Sequence, residues 1–332
     1  MPSMKPFYRK LLDLAAITFV VCAAFIALLA SADSADAQSR TIKIVNPYPP
    51  GGTADIIARL MGEQIGRQHG VTMIIENRPG GGTVIGTEAA ARSAPDGNTL
   101  LISSVALVIN PHLRKVNYDP LTSFEPICNL VQSPQVIVVN AGSPLRTLGD
   151  LINAARARPG TLTLGSTGPA SPSQIAIERM KRATGLDVIY VPFPGNAPTM
   201  NAVLGGHVTA GIANYADVVE HIKAGTLRAL ATHSPTRIAA LPDLPTVAQS
   251  GIKEFEYDVW FGMLAPAKTS KDIVAQLSNW FLEAMQVSDV RTKLVAQGLY
   301  PAGNCGADFA SELRTQFVDY GRVIKEANIK GE

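Results

Sequence analysis

Cysteine and net charge are both scarce in this chain, and each scarcity excludes something. Three cysteines in 332 residues cannot supply a disulfide framework, so stability has to come from a buried core. Charged side chains make up 17% of the residues and the formal net charge is +2. Such a balance leaves no clustered basic face, and no nucleic-acid partner is expected. Long apolar runs are missing everywhere except near the N-terminus, so nothing beyond that region is expected to cross a bilayer.

Catalytic signatures are missing too. There is no G-x-S-x-G elbow, because "GSTG" at 165–168 lacks the spacing. Gly81–Thr87 has the G-x-x-x-x-G spacing of a phosphate loop without its lysine. The five histidines are scattered with no two at a ligand spacing on one helix face, and no pair of carboxylates stands out. The chain is therefore expected to need neither metal nor cofactor, and not to be an enzyme.

The one apolar run, Ala15–Ala30, follows Lys5, Arg9 and Lys10 and precedes a small, polar stretch ending in Ala35-Asp36-Ala37. Basic, apolar, then small-x-small is the layout of a secretory signal peptide, here residues 1–37. The run is short against the roughly 20 residues a spanning helix needs. Cys22 does not mark a lipoprotein site, because Val21 before it is too bulky. Removing the leader leaves roughly 300 residues, enough for two domains of ordinary size. Cys128 and Cys305 remain. They are far apart in sequence, and the expectation is two buried, unpaired thiols, with a disulfide as the alternative in an oxidising compartment.

What is present is an alternation of short β-like runs with longer helical ones. "TIKIVN" (41–46), "VTMIIEN" (71–77) and "NTLLISS" (98–104) read as strands. Between the first two, Ile56, Ile57, Leu60, Met61 and Ile65 share a helical face; a small-residue helix running to Ala94 follows the second. This pitch predicts a parallel sheet with helices on its faces. "FEPICNLVQSPQVIVVN" (124–140) reads as two strands or one long kinked one, and a second α/β unit then begins. Its strands are "TLTLGST", "DVIYVPF", "HVTAGIAN" and "LRALATH", separated by helices. A further β run covers 257–266, and helices at roughly 271–287 and 307–327 close the chain.

A strand, a glycine- or serine-rich turn and a helix recur at Pro49–Asp55, Pro79–Thr83 and Gly165–Ser173. The first N–H groups of a helix lack partners and carry partial positive charge. Glycine lets an anion approach them, and hydroxyls add donors. Ordinary capping accounts for any one such turn. "PPGGTAD" and "GSTGPASPS" together, one in each unit, favour a split site for a small anion. Pro49 and Pro50 would fix the first turn in advance, Gly51 and Gly52 would expose N–H groups, and Asp55 suits a cap and loop anchor better than a direct contact, since it would repel the anion.

The motifs "NPYPPGGTADIIARL", "IIENRPGGGTVIGTEAAARSAPDGNTLLISS", "INPHL", "GSTGPASPSQIAIE", "VPFPGNAPTMNAVLGGHV", "HIKAGTLRALA", "LPDLPTVAQSG" and "WFGMLAPA" occur in that order. Together they resemble the Bug (TctC-like) family of periplasmic solute-binding proteins, the extracytoplasmic receptors of tripartite tricarboxylate transporters. The resemblance spans essentially the whole mature chain. It implies a type II periplasmic-binding-protein fold, two α/β lobes with a ligand cleft between them, and a periplasmic monomer that closes on a small organic carboxylate and hands it to membrane permease subunits. It places the first lobe at 41–138 and 259–332 and the second at 139–258, with "QVIVVN" and "VWFGMLAP" at or near the hinge.

Carried over residue by residue, the ligand-binding set in the first lobe is Tyr48, Pro49, Pro50, Gly51, Gly52, Thr53, Asp55, Ser103 and Ser104. In the second lobe it is Ser166, Thr167, Gly168, Pro169, Ser171, Asn196, Ala213 and Asn214. Relatives often carry aspartates in the strand and turn matching "HVTAGIAN", where this chain has Thr209 and Ala213. That departure favours dicarboxylates or aromatic carboxylates over amino acids. Gln174 stands where relatives often have histidine. Trp260 and Phe261 suit core packing beside the hinge better than the cleft wall. A ligand sensor without transport and an exported enzyme acting on a carboxylate are the alternatives.

Overall fold

The computed structural model describes residues 40–168, 171–252 and 257–329. The expected signal peptide and Pro169 lie outside the described residues. Three parallel strands open the fold: β1 (Thr41–Asn46), β2 (Thr72–Asn77) and β3 (Thr99–Ser104), in the order β2-β1-β3. Helix α1 (Thr53–His69) connects the first two, burying Ile57, Met61 and Ile65 completely. It stops at Gly70, whose left-handed backbone turns its N–H back to the Gly66 carbonyl. Helix α2 (Val84–Ala91) leads into β3, and helix α3 (Ala106–Leu113) follows it.

Strand β4 (Phe124–Asn140) is one continuous run of 17 residues. Over Phe124–Pro134 it pairs antiparallel with β9 (Asp258–Pro266), and around Cys128–Gln132 also with β10 (Tyr300–Cys305). From Gln135 onward its partners change to β7 (Ala210–Asn214) and β8 (Leu227–Thr232). The remaining strands of that half, β5 (Thr163–Ser166) and β6 (Ile189–Pro192), extend parallel from β7. Helices α4 (Leu148–Ala157), α5 (Pro172–Thr184), α6 (Asn196–Leu204) and α7 (Tyr215–Lys223) connect these strands. Helices α8 (Lys271–Gln286), α9 (Ser288–Ala296) and α10 (Ala307–Glu326) pack on the other half.

The cores follow the same division. One cluster centres on Ile42, Ile44, Leu100, Ile102, Trp260, Phe281 and Phe309. Two smaller ones cover opposite faces of the second half, since alternate residues of β4 supply them: Ile137 and Val139 to one, Val136 and Val138 to the other. No helix among the described residues is long and apolar enough to cross a membrane.

Three elements depart from the sequence expectation. Helix α3 contains Pro111, normally a breaker. The carbonyl of Leu107, four residues back, which a proline cannot serve, instead accepts from the Tyr118 hydroxyl at 3.3 Å. Helix α9 and strand β10 were also unanticipated; Pro301 and Gly303 disguise the strand, which carries an irregularity between Pro301 and Asn304. That strand brings Cys305 opposite Cys128, and the two form a disulfide. The expectation of unpaired thiols is thus corrected. A sequence separation of 177 residues says nothing about distance once the last strand returns to β4.

Candidate functional site

The carboxyl ends of β1 and β3 lie in one sheet and point the same way, so the turns that follow them meet. Asn46 and Ser103 are fully buried there, and Ser104 nearly so. The Tyr48 hydroxyl lies 2.6 Å from Ser104 Oγ. Burial pushes that phenol up to about 12, the Ser104 and Ser103 hydroxyls only partly opposing it. Phe261 meets the Tyr48 ring edge-on at 6.3 Å. Its neighbour Trp260 faces the other way, packing edge-to-face on Phe309 and donating to Gln316 Oε1 at 2.6 Å. Core packing is therefore right for both, Phe261 being buried in the same cluster while also backing a residue expected to bind ligand.

In the turn itself, Pro49, Pro50 and Gly51 are exposed. Gly51 has φ +81, which no side chain adopts easily, and a Cβ there would touch nothing within 4 Å. Its N–H does not face outward, because it donates to Asp55 Oδ2 at 3.1 Å. Asp55 also accepts from Arg59 Nε at 2.8 Å and Asn77 Nδ2 at 3.0 Å. Burial raises this carboxyl, but the Arg59, Gly51 and Asn77 donors outweigh it and hold the group below its ordinary value. Asp55 is thus a loop anchor.

Gly52 is the residue before α1 and leaves the helix start without a side-chain cap. Thr53, 3% exposed, instead reaches across the chain: its hydroxyl donates to Asp217 Oδ1 at 2.9 Å, and its N–H approaches the same carboxylate. Asn196, which opens α6, and Asn214, which precedes α7, donate to Asp217 Oδ2 through their side-chain amides, the latter at 3.1 Å. Asp217 lies in the first turn of α7. Three expected site residues from two halves of the fold, Thr53, Asn196 and Asn214, thus converge on one carboxylate. The sequence reading missed that carboxylate. Burial pushes Asp217 up to about 6, with the Thr53, Asn214 and Asn196 donors pulling the other way.

A second polar group surrounds the start of α5. Ser171 caps this helix by accepting from the Gln174 N–H at 3.1 Å, and its hydroxyl sits 3.3 Å from those of Ser166 and Ser173. Thr167 is 3.1 Å from Ser173 Oγ, and Gly168, φ +103, turns the chain beside Phe193. This group reaches Asp217 through a relay. The Tyr257 hydroxyl lies 3.2 Å from the Pro172 carbonyl and donates to Gln135 Oε1. Gln135 Nε2 in turn donates to Asn214 Oδ1 at 3.3 Å. Gln135 is the residue where β4 changes partners, and its own carbonyl accepts from the His233 N–H at 2.8 Å.

Ala213 departs from its expected place. Its side chain is fully buried among Val136, Val138 and Met200 in the core, so only its backbone borders the site. A separate cavity of about 680 Å³, lined by Arg146, Thr147, Arg228 and Asp243 among others, contains none of the expected residues. Its Arg228 is committed to the carbonyls of Ala141, Ser143 and Leu145. Among the described residues no cluster could hold a metal ion.

Two α/β lobes sharing one long strand, with polar turns meeting between them, define the type II periplasmic-binding-protein fold. The profile described as "Tripartite tricarboxylate transporter family receptor" (TctC) matches residues 57–329, and the chain belongs to that family. It is 36% identical to Protein BugT of Bordetella pertussis, over 96% of this chain and 98% of that one. Among solved structures it resembles R. palustris Rpa4515 with adipate (TM-score 0.85, 29% identity, 89% of this chain and 100% of that one). It also resembles MatC from Rhodopseudomonas palustris with bound malate (TM-score 0.78, 26% identity, 86% and 99%).

Proposed function

We propose that this chain is a periplasmic receptor that captures a small organic carboxylate between its lobes and delivers it to the membrane permease subunits of a tripartite tricarboxylate-type transporter. The lobes in this reading are 41–138 with 259–332, and 139–258. The leader at 1–37 directs export, and the mature protein works as a monomer. One observation carries the reading: donors from both lobes, Thr53 on one side and Asn196 and Asn214 on the other, already surround a carboxylate, that of Asp217. Hydroxyl and amide donors of this kind are what a ligand carboxylate entering beside Asp217 would compete for. The ligand-bound relatives, one with adipate and one with malate, support the ligand class. In this reading Tyr48, Ser103 and Ser104 in the first lobe and Ser166 and Ser171 in the second supply further polar groups to the ligand.

Mass spectrometry of small molecules released from the purified protein, followed by calorimetric titration of a panel of mono-, di- and tricarboxylates, tests this. An organic acid should be released and should bind the wild-type protein, with Thr53→Val weakening it about tenfold, as expected for one hydrogen bond to a charged group. Absence of binding by every acid in the panel overturns the reading.

A further inference from the structure

Asp217 presents a problem that the receptor reading leaves open. A ligand carboxylate entering between Thr53, Asn196 and Asn214 meets a carboxylate already there. Two such groups in contact cannot both stay charged unless a proton or a donor lies between them. Among the described residues no cation stands beside Asp217 to neutralise it. Its side-chain partners are a hydroxyl and two amides, all neutral. On α1, Asp55 and Arg59 pair with each other. Beside Asp217, the Oδ1 of Asn196 is buried and accepts no hydrogen bond. Its amide nitrogen faces the Asp217 carboxylate, which leaves that oxygen as a second acceptor. The site therefore combines donors for one carboxylate with two acceptors, Asp217 and Asn196 Oδ1, that a bare carboxylate would leave unmatched.

Resting on the receptor reading, we infer that Asp217 is the specificity-determining residue of the site, selecting organic acids whose carbon chain carries a hydrogen-bond donor, a hydroxyl or an ammonium, next to the bound carboxylate. The ligand carboxylate takes the donors of Thr53 and Asn214, and the ligand's own donor bridges to Asp217 and Asn196 Oδ1. Sites built to pair a ligand's polar group discriminate strongly against analogues lacking it, because buried acceptors are then stranded. This readmits the amino acids that Ala213 disfavoured. The aspartate missing from β7 is supplied four residues further on, from the first turn of α7.

The test is a matched four-carbon series, succinate, malate and aspartate, which differ only in bearing no donor, a hydroxyl or an ammonium. Calorimetry at one pH is run on wild type, Asp217→Asn and Asp217→Ala, with circular dichroism to establish that each variant is folded. Wild type should bind malate or aspartate at least about tenfold more tightly than succinate. Both variants should bring that ratio within about threefold, with succinate binding gained. An unchanged ratio in the folded variants, or equal affinities in wild type, overturns the role of Asp217. Binding of none of the three by wild type overturns the donor-bearing class, while the receptor reading stands or falls separately on the wider panel.

Discussion

At the scale of single residues, Asp217 makes the site's electrostatics measurable without any ligand. Its folded-state carboxyl sits near 6, against an ordinary value of 3.8. Between those values the native protein holds a proton that the unfolded chain has released. Stability therefore falls as pH rises through this window, and the loss is complete above about 6. Asp217→Asn cannot ionise. Thermal unfolding of wild type and variant at pH 4, 5, 6, 7 and 8 should show the variant gaining on wild type as pH rises, with no further change between pH 7 and 8. A difference that is flat across the series would mean that burial does not govern this carboxyl. Asp55 gives the contrasting case. Its carboxyl is also buried, but Arg59 and Asn77 satisfy it within its own lobe, so it holds the loop and leaves the cleft to its neighbours.

At the scale of elements, the sequence announces what repeats and hides what is borrowed. The strand–turn–helix units were legible because apolar spacing and the glycine and serine turns agree locally, and β1 and α1 fall almost where the pattern places them. Helix α3 was hidden because the Tyr118 hydroxyl that compensates its proline lies outside the helix. Strand β10 was hidden because its pairing partner lies across the chain. Asp217 escaped for a similar reason: an acidic residue in the first turn of a helix is what dipole compensation alone would put there. Only the approach of Thr53 from the other lobe gives it a second meaning. The disulfide joining β4 to β10 ties the chain's last strand to the strand shared by both lobes. Its removal, by Cys128→Ser with Cys305→Ser, should lower unfolding stability by about 2–4 kcal/mol in urea. Ligand affinity should stay within about twofold, because neither cysteine belongs to the relay from Gln135 to Asp217. A large loss of affinity at unchanged stability would place the bond in the binding machinery instead.

At the scale of the whole molecule, the proposed closure of the lobes on a ligand depends on contacts between the two halves. Thr53 to Asp217 is one contact between the lobes, and Gly298 supplies another. This glycine lies between α9 and β10 with φ +71, and a Cβ on it would stand 2.0 Å from Cδ1 of Tyr215, the first residue of α7. Tyr215 is 2% exposed and packs in the core of the second lobe, so its ring has little freedom to retreat. Gly298→Ala therefore carries two penalties. The left-handed backbone costs about 1 kcal/mol, and the clash with Tyr215 adds to it wherever the two halves touch as they do here. Gly70→Ala isolates the first penalty, since Gly70 has φ +65 and nothing within 4 Å of its added carbon. Without ligand, Gly298→Ala should therefore lose more stability than Gly70→Ala. Only Gly298→Ala should weaken ligand binding, by tenfold or more, and enlarge the radius of gyration of the ligand-saturated protein in solution scattering. Equal affinities in the two variants would show that Tyr215 and Gly298 do not have to meet for the protein to hold its ligand, leaving the Asp217 cluster to hold the lobes together.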